Sequence, residues 1–158
     1  MLRIGKLTDY ATVILATLAA DRSRLQNASS LAERTHIAAP TVSKLLKQLH
    51  RAGLVNSTRG THGGYQLARD PEAISAASIL DALEGPVALT ECSTGSGHQC
   101  DIEHTCSVGR TWQKLSLAIR RSLSEITLAQ LAGLDSRNAH MPIERELKFM
   151  PRGAKVST

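Results

Sequence analysis

Residues 28–67 read ASSLAERTHIAAPTVSKLLKQLHRAGLVNSTRGTHGGYQL, and their order decides the fold. Val42, Leu45, Leu46 and Leu49 recur at helical spacing and form one apolar stripe. Pro40 suits the first turn of that helix, where its missing N–H would have no partner, and Gly53 ends it. The opposite face carries Thr41, Ser43, Lys44, Lys47, Gln48 and Arg51 and no bulky apolar side chain. Upstream, a short helix is expected behind a cap at Asn27 or Ser30, the latter within an S-x-x-E box closed by Glu33. His36 to Ala39 make a tight connection between the two helices. Downstream, Leu54 to Thr58 and Tyr65 to Leu67 read as strands around the turn Arg59-Gly60-Thr61-His62-Gly63-Gly64. Helix, tight turn, helix, hairpin is the order of a winged helix-turn-helix. The second helix can enter a major groove about 12 Å wide. The hairpin tip, with Arg59 and His62, can reach the backbone or minor groove. The expected fold class is mainly α: a winged helix-turn-helix with a small β-hairpin wing and a long C-terminal dimerisation helix.

Working outward, Thr8 is expected to cap a helix whose buried face is Tyr10, Ala11, Ile14, Leu15, Leu18 and Ala19, ending near Ala20. Ser75 caps another, with Ile79, Leu80 and Leu83 facing inward and Gly85-Pro86 stopping it. Residues 1–86 are read as the DNA-binding domain. Residues 87–107 lack helical periodicity and form a cysteine loop. From residue 108, Val108, Trp112, Leu115, Ile119, Leu123 and Ile126 step by threes and fours, a helix of about 19 residues, near 28 Å long. One apolar seam on a helix projecting from a small domain needs a partner, and a matching helix of a second copy supplies it. The dimer interface is therefore assigned to Trp112, Leu115, Ile119, Leu123 and Ile126 within residues 108–134. Residues 135–158 are polar and proline-broken, and are read as a disordered tail.

All three cysteines, Cys92, Cys100 and Cys106, fall in one loop at the spacing C-x7-C-x5-C, together with His98 and His104. Three thiolates within fifteen residues can converge on a soft or borderline metal or a cluster. The spacing is not the C-x2-C of a zinc ribbon. A metal-free thiol switch is the alternative, and three unrelated thiols the third possibility.

Composition narrows the class. Aromatic residues are 3% of the 158-residue chain, only Tyr10, Tyr65, Trp112 and Phe149, so the core is built from Leu, Ile, Val and Ala. A β-sandwich normally uses more aromatics. Residues 1–70 carry 10 Lys/Arg against 4 Asp/Glu, a net +6 that suits a polyanion. Residues 71–106 carry six acids and no Lys or Arg, and residues 107–158 return to a net +5. No run of 18 apolar residues is present, and the opening MLRIGKLTDYA has no apolar h-region. The expected address is the cytoplasm, with no membrane partner. Thiols stay reduced there, which disfavours a disulfide framework.

The runs LTDYATVILATLA, SSLAERTHIAAPTVSKLLKQLHRAGLV, STRGTHGGYQLARD and SILDALEGP, then three cysteines before a long helix, resemble one bacterial family. It is the family of dimeric winged-helix regulators that includes the iron–sulfur regulator IscR and the nitric-oxide sensor NsrR. The resemblance covers residues 1 to about 132. The recognition helix and the loop are most similar to the branch that controls the SUF iron–sulfur assembly operon. The resemblance implies a transcriptional repressor, not an enzyme. It implies a homodimer on double-stranded DNA at a near-palindromic operator, with an iron–sulfur cluster, 2Fe-2S or 4Fe-4S, in each loop. Cys92, Cys100 and Cys106 match the family's three thiolates. Some members carry a histidine ligand three residues after the last cysteine; here that position is Gly109. Other members use an acidic residue near the start of the first helix, donated by the partner, and Asp9 matches it. The fourth-ligand candidates are Asp9, His104 and His98, with a small thiol or water beside them. If Asp9 reaches across, occupancy of the loop sets the spacing of the two recognition helices. The implied inputs are iron–sulfur demand, oxidation or nitric oxide.

Two further classes use the same residues. An electron carrier would need the cluster but not the basic helix face. A cysteine enzyme would need a base and an oxyanion site beside one thiol, and no such arrangement is visible in the sequence.

Overall fold

The structure, a computed structural model, describes residues 4–90 and 106–134. The first helix, α1 (Lys6–Ala20), buries Ala11, Ile14, Leu15, Leu18 and Ala19, the face that the sequence periodicity marks. Its start departs from expectation. Gly5 is the N-cap, and Thr8 lies inside the first turn, 2% exposed. The Thr8 hydroxyl donates to the Glu84 carboxylate at 2.5 Å, so a distant acid replaces the local cap. In α2 (Ala28–Thr35) the cap is Asn27, whose side chain accepts from Ser30 N at 2.8 Å; the Ser30–Glu33 alternative is not used. His36 then turns through the left-handed region at φ 56° and Ile37 re-enters the core.

Helix α3 (Ala39–Arg51) has Pro40 in its first turn and buries Val42, Leu45, Leu46 and Leu49 completely. Gly53, at φ 69°, ends it. Strands β1 (Val55–Thr58) and β2 (Gly64–Leu67) pair antiparallel, with Val55 opposite Leu67 and Thr58 opposite Gly64. Gln26 adds a short third bridge: its N–H donates to Tyr65 O at 3.0 Å and its carbonyl accepts from Tyr65 N at 2.9 Å. A Cβ on Gly64 would come 3.0 Å from the Gln26 backbone, so any larger residue would push the two segments apart by a few tenths of an ångström.

After a 3₁₀ turn (Pro71–Ala73), α4 (Ala76–Leu83) starts at Ser75, which caps Ser78 N. Ile79 is buried, while Leu80 and Leu83 are only half-buried. Gly85, at φ 87°, ends the helix as expected.

The C-terminal helix corrects the sequence reading. The long helix stands close to its expected length as α5 (Gly109–Glu125, 17 residues), but it does not run on to residue 134: Ile126 is extended at φ −85°, ψ 122°. Thr127 caps a separate helix, α6 (Leu128–Leu131), in a capping box with Gln130. Ala76 N donates to Ile126 O at 2.8 Å and Leu128 N to Ile74 O at 2.7 Å. Leu128 and Ala129 are buried, and Leu128 joins the core formed by α1, α2 and α3. Two links hold α5 against the same body. Arg120 forms a two-pronged pair with Asp81 of α4 at 2.7 and 2.6 Å. Ser116, 4% exposed, accepts from Leu89 N at 3.1 Å. No helix among the described residues is long and apolar enough to cross a membrane.

Candidate nucleic-acid interface

The apolar stripe of α3 fixes which of its side chains face outward. Lys44, Lys47 and Arg51 are exposed, and Thr41, Ser43 and Gln48 are half-buried at the margins. Pro40, Ser43, Lys44, Lys47, Gln48 and Arg51 line one shallow groove of about 350 Å³. No acid stands on α3, so nothing within the helix neutralises its three cations. The Gln48 Oε1 is buried without a hydrogen-bond partner among the described residues, an acceptor left open on this face. Thr41 does not line the groove; its N–H closes the first turn on Ala38 O at 2.9 Å.

At the hairpin tip, Arg59 and His62 are both exposed. Gly60 takes φ 113°, and a Cβ on Gly63 would collide with Thr58 O at 2.3 Å. Both glycines are therefore needed to close the tip. The structure brings six residues into the α3 groove and sets the wing tip apart from it.

A second basic recess escaped the sequence reading. Asp21, Arg24, Gln26, Asn27, Ser30 and Arg34 line about 300 Å³ at the start of α2. Arg34 donates to the Gln26 side chain, which is itself 4% exposed. Arg24 and Arg34 lie ten residues apart with no shared periodicity, so only the folded turn between α1 and α2 unites them.

Of the sensor candidates, Cys92, Cys100, His98 and His104 lie outside the described residues. Cys106 is a free thiol, partly exposed, at the entrance to α5. A Cβ at Gly109 would stand 3.6 Å from its Sγ, so the residue three past the last cysteine borders the sulfur yet offers no donor. Asp9 is exposed in the first turn of α1. No group of three metal-binding side chains is assembled among the described residues. Leu89 is tied to Ser116, and Cys106 stands just before Gly109. At 1.5 Å per residue, Ser116 and the first residue of α5 lie about 10 Å apart along the helix.

The seam of α5 is split. Trp112 and Leu115 are 43% and 44% exposed. Ile119 and Leu123 are half-buried and line a groove of about 410 Å³ with Ile4, Leu80, Pro86 and Val87. Ile126 is off the helix. Val108 and Leu117, each 55% exposed, widen the apolar surface. Hydrogen bonding to Asp81, and then its charge, hold the Arg120 guanidinium above the usual arginine range.

Residues 4–133 match the profile of the Rrf2 family, described as an iron-dependent transcriptional regulator. The protein rrf2 of Nitratidesulfovibrio vulgaris is 34% identical over 134 residues, 82% of this chain and 89% of that protein. Among solved structures, CymR, the global cysteine regulator of B. subtilis, aligns with a TM-score of 0.67 at 29% identity, covering 85% of this chain and 99% of that one. T. potens IscR aligns with a TM-score of 0.63 at 28% identity, covering 91% and 96%. These relatives are transcriptional regulators, not enzymes.

Proposed function

Because the chain belongs to the Rrf2 family of DNA-binding transcriptional regulators, we propose that it is a homodimeric cytoplasmic repressor of iron–sulfur assembly (SUF) genes. Its operator is near-palindromic double-stranded DNA, and Cys92, Cys100 and Cys106 hold an iron–sulfur cluster, with Asp9 of the second copy as fourth ligand. The observation that carries the DNA reading is the α3 face: three unneutralised cations and no bulky apolar group over a buried Leu/Val stripe. Thr41, Ser43 and Lys44, at the start of the helix, read base edges. Lys47, Gln48 and Arg51 continue the contact, and Arg59 and His62 engage the backbone or minor groove.

The chemistry of the donor set supports the sensor reading. Cys106 presents a soft sulfur donor, partly exposed, with Gly109 beside it. When bound, the cluster supplies redox and nitric-oxide reactivity at the loop. The chain's own residues do the rest: Ser116 holds Leu89, Arg120 holds Asp81, and together they fix α5 to the winged body. Trp112, Leu115, Ile119 and Leu123 offer the second copy an apolar surface. Two rigid bodies joined along α5 set the separation of the recognition helices, and operator half-sites select that separation.

A second reading rests on the same exposed thiol: a metal-free switch worked by cysteine oxidation. Anaerobic purification with iron and acid-labile sulfide analysis, followed by gel shift on the chain's own promoter, separates them. Iron and sulfide at two or more per chain, with operator affinity that follows their removal, supports the cluster. Their absence, with affinity that follows oxidant, selects the thiol switch.

A further inference from the structure

The start of α1 has no cap of its own, yet it is not open. The Glu84 carboxylate, just past the last turn of α4, accepts from Gly5 N at 2.9 Å and from Thr8 Oγ1 at 2.5 Å. A Cβ on Gly5 would stand 2.7 Å from Glu84 Oε1, so a side chain at the N-cap would force the carboxylate to move from its present position. Thr8, at 2% exposure, has no water to replace that acceptor. A carboxylate at a helix N-terminus is also favoured by the helix dipole. Among the described residues, Glu84 is the one ionisable side chain lining the groove between α4 and α5. Glu84 is followed at once by Gly85-Pro86 and the segment pinned at Leu89, three residues before Cys92. Asp9 stands in the turn that Glu84 clamps, its N–H on Gly5 O at 3.1 Å.

We propose that Glu84 is a positioning residue, the tie through which the segment leading to the cysteines holds the first turn of α1 and with it Asp9. The tie itself is independent of any metal; its role in sensing rests on the function proposed above.

The test uses the full-length protein, cluster-free and reconstituted, as wild type, Glu84→Ala, Glu84→Gln and Gly5→Ala. Gln keeps an acceptor oxygen in place, while Gly5→Ala displaces the carboxylate from Gly5 N and leaves Glu84 intact. Hydrogen exchange of the cluster-free protein is the first readout. The amides of residues 5–9 are expected to exchange about tenfold faster in Glu84→Ala and Gly5→Ala, with α3 unchanged and Glu84→Gln near wild type. Unchanged exchange in both variants overturns the tie. The second readout is the ratio of operator affinities with and without the cluster, expected to fall toward one in Glu84→Ala and Gly5→Ala. Faster exchange with an unaltered ratio overturns the role in sensing. A wild type that binds no iron would defeat the proposed function instead, and exchange would still decide whether Glu84 positions α1.

Discussion

Lys47→Ala tests how α3 meets DNA. At about 100° per residue, Lys44 sits at the centre of the exposed face and Lys47 about 60° to one side. The centre of a recognition helix meets base edges, and its margin meets the phosphates of the groove wall. Lys47 is exposed and makes no ion pair among the described residues, so its removal perturbs no internal contact. Alanine is the better helix former, so the thermal midpoint should hold or rise slightly. Each lysine–phosphate contact contributes about 0.9 to the slope of log affinity against log salt, and a dimer places two, so the slope should flatten by about 1.8. Doubling the salt from about 100 to about 200 mM should then narrow the affinity gap between wild type and variant about 3.5-fold. Fluorescence anisotropy with the operator and with unrelated DNA across a salt series measures this, and the loss should be alike for both DNAs. An affinity gap that stays constant with salt, or that appears only on the operator, would refute the assignment of Lys47 to phosphate.

Three further outcomes are expected. Ile119→Asp should yield a monomer with a folded winged domain and weak operator binding, because the dimer would bury an unpaired charge; a dimer by light scattering would place the interface elsewhere. Leu128→Ala should destabilise the winged domain by about 2–5 kcal/mol in urea unfolding, since Leu128 is fully buried in the core with residues of α1; an unaltered midpoint would detach α6 from the core. Cys106→Ser should lose bound iron outright, and Asp9→Ala should retain it poorly and release it faster in air. If Asp9→Ala matched wild type while His104→Ala did not, the cross-subunit ligand would be wrong.

Most of the winged body was legible because its signals are local. The Val42–Leu49 stripe, Pro40, Gly53 and the glycine-rich turn each act within a few residues, and α3 and the wing stand where they point. Thr8 misled because its partner is 76 residues away. A threonine before a helical stripe looks like a cap, and nothing near it in sequence reveals that Glu84 takes that role. Ile126 misled for the opposite reason. The three-and-four spacing from Val108 runs through it by coincidence, while the Thr127–Gln130 capping box, a T-x-x-Q signal, marked a new helix one residue on. The α3 face was readable residue by residue, whereas the Arg24–Arg34 recess and the Ser116–Leu89 tie exist only through the fold.

The return of α6 to the core has a consequence for synthesis. The winged domain is not a contiguous stretch of chain: its last buried side chains, Leu128 and Ala129, follow the cysteines and α5. A nascent chain that has delivered α3 and the wing still lacks part of the hydrophobic interior, and a DNA-reading body completes only after the whole intervening arm has been translated. A ribosome that stalls before residue 128 therefore releases an unfinished core. The reading head and the arm that carries the cysteines are made as one unit, and premature termination cannot leave a well-folded regulator without that arm.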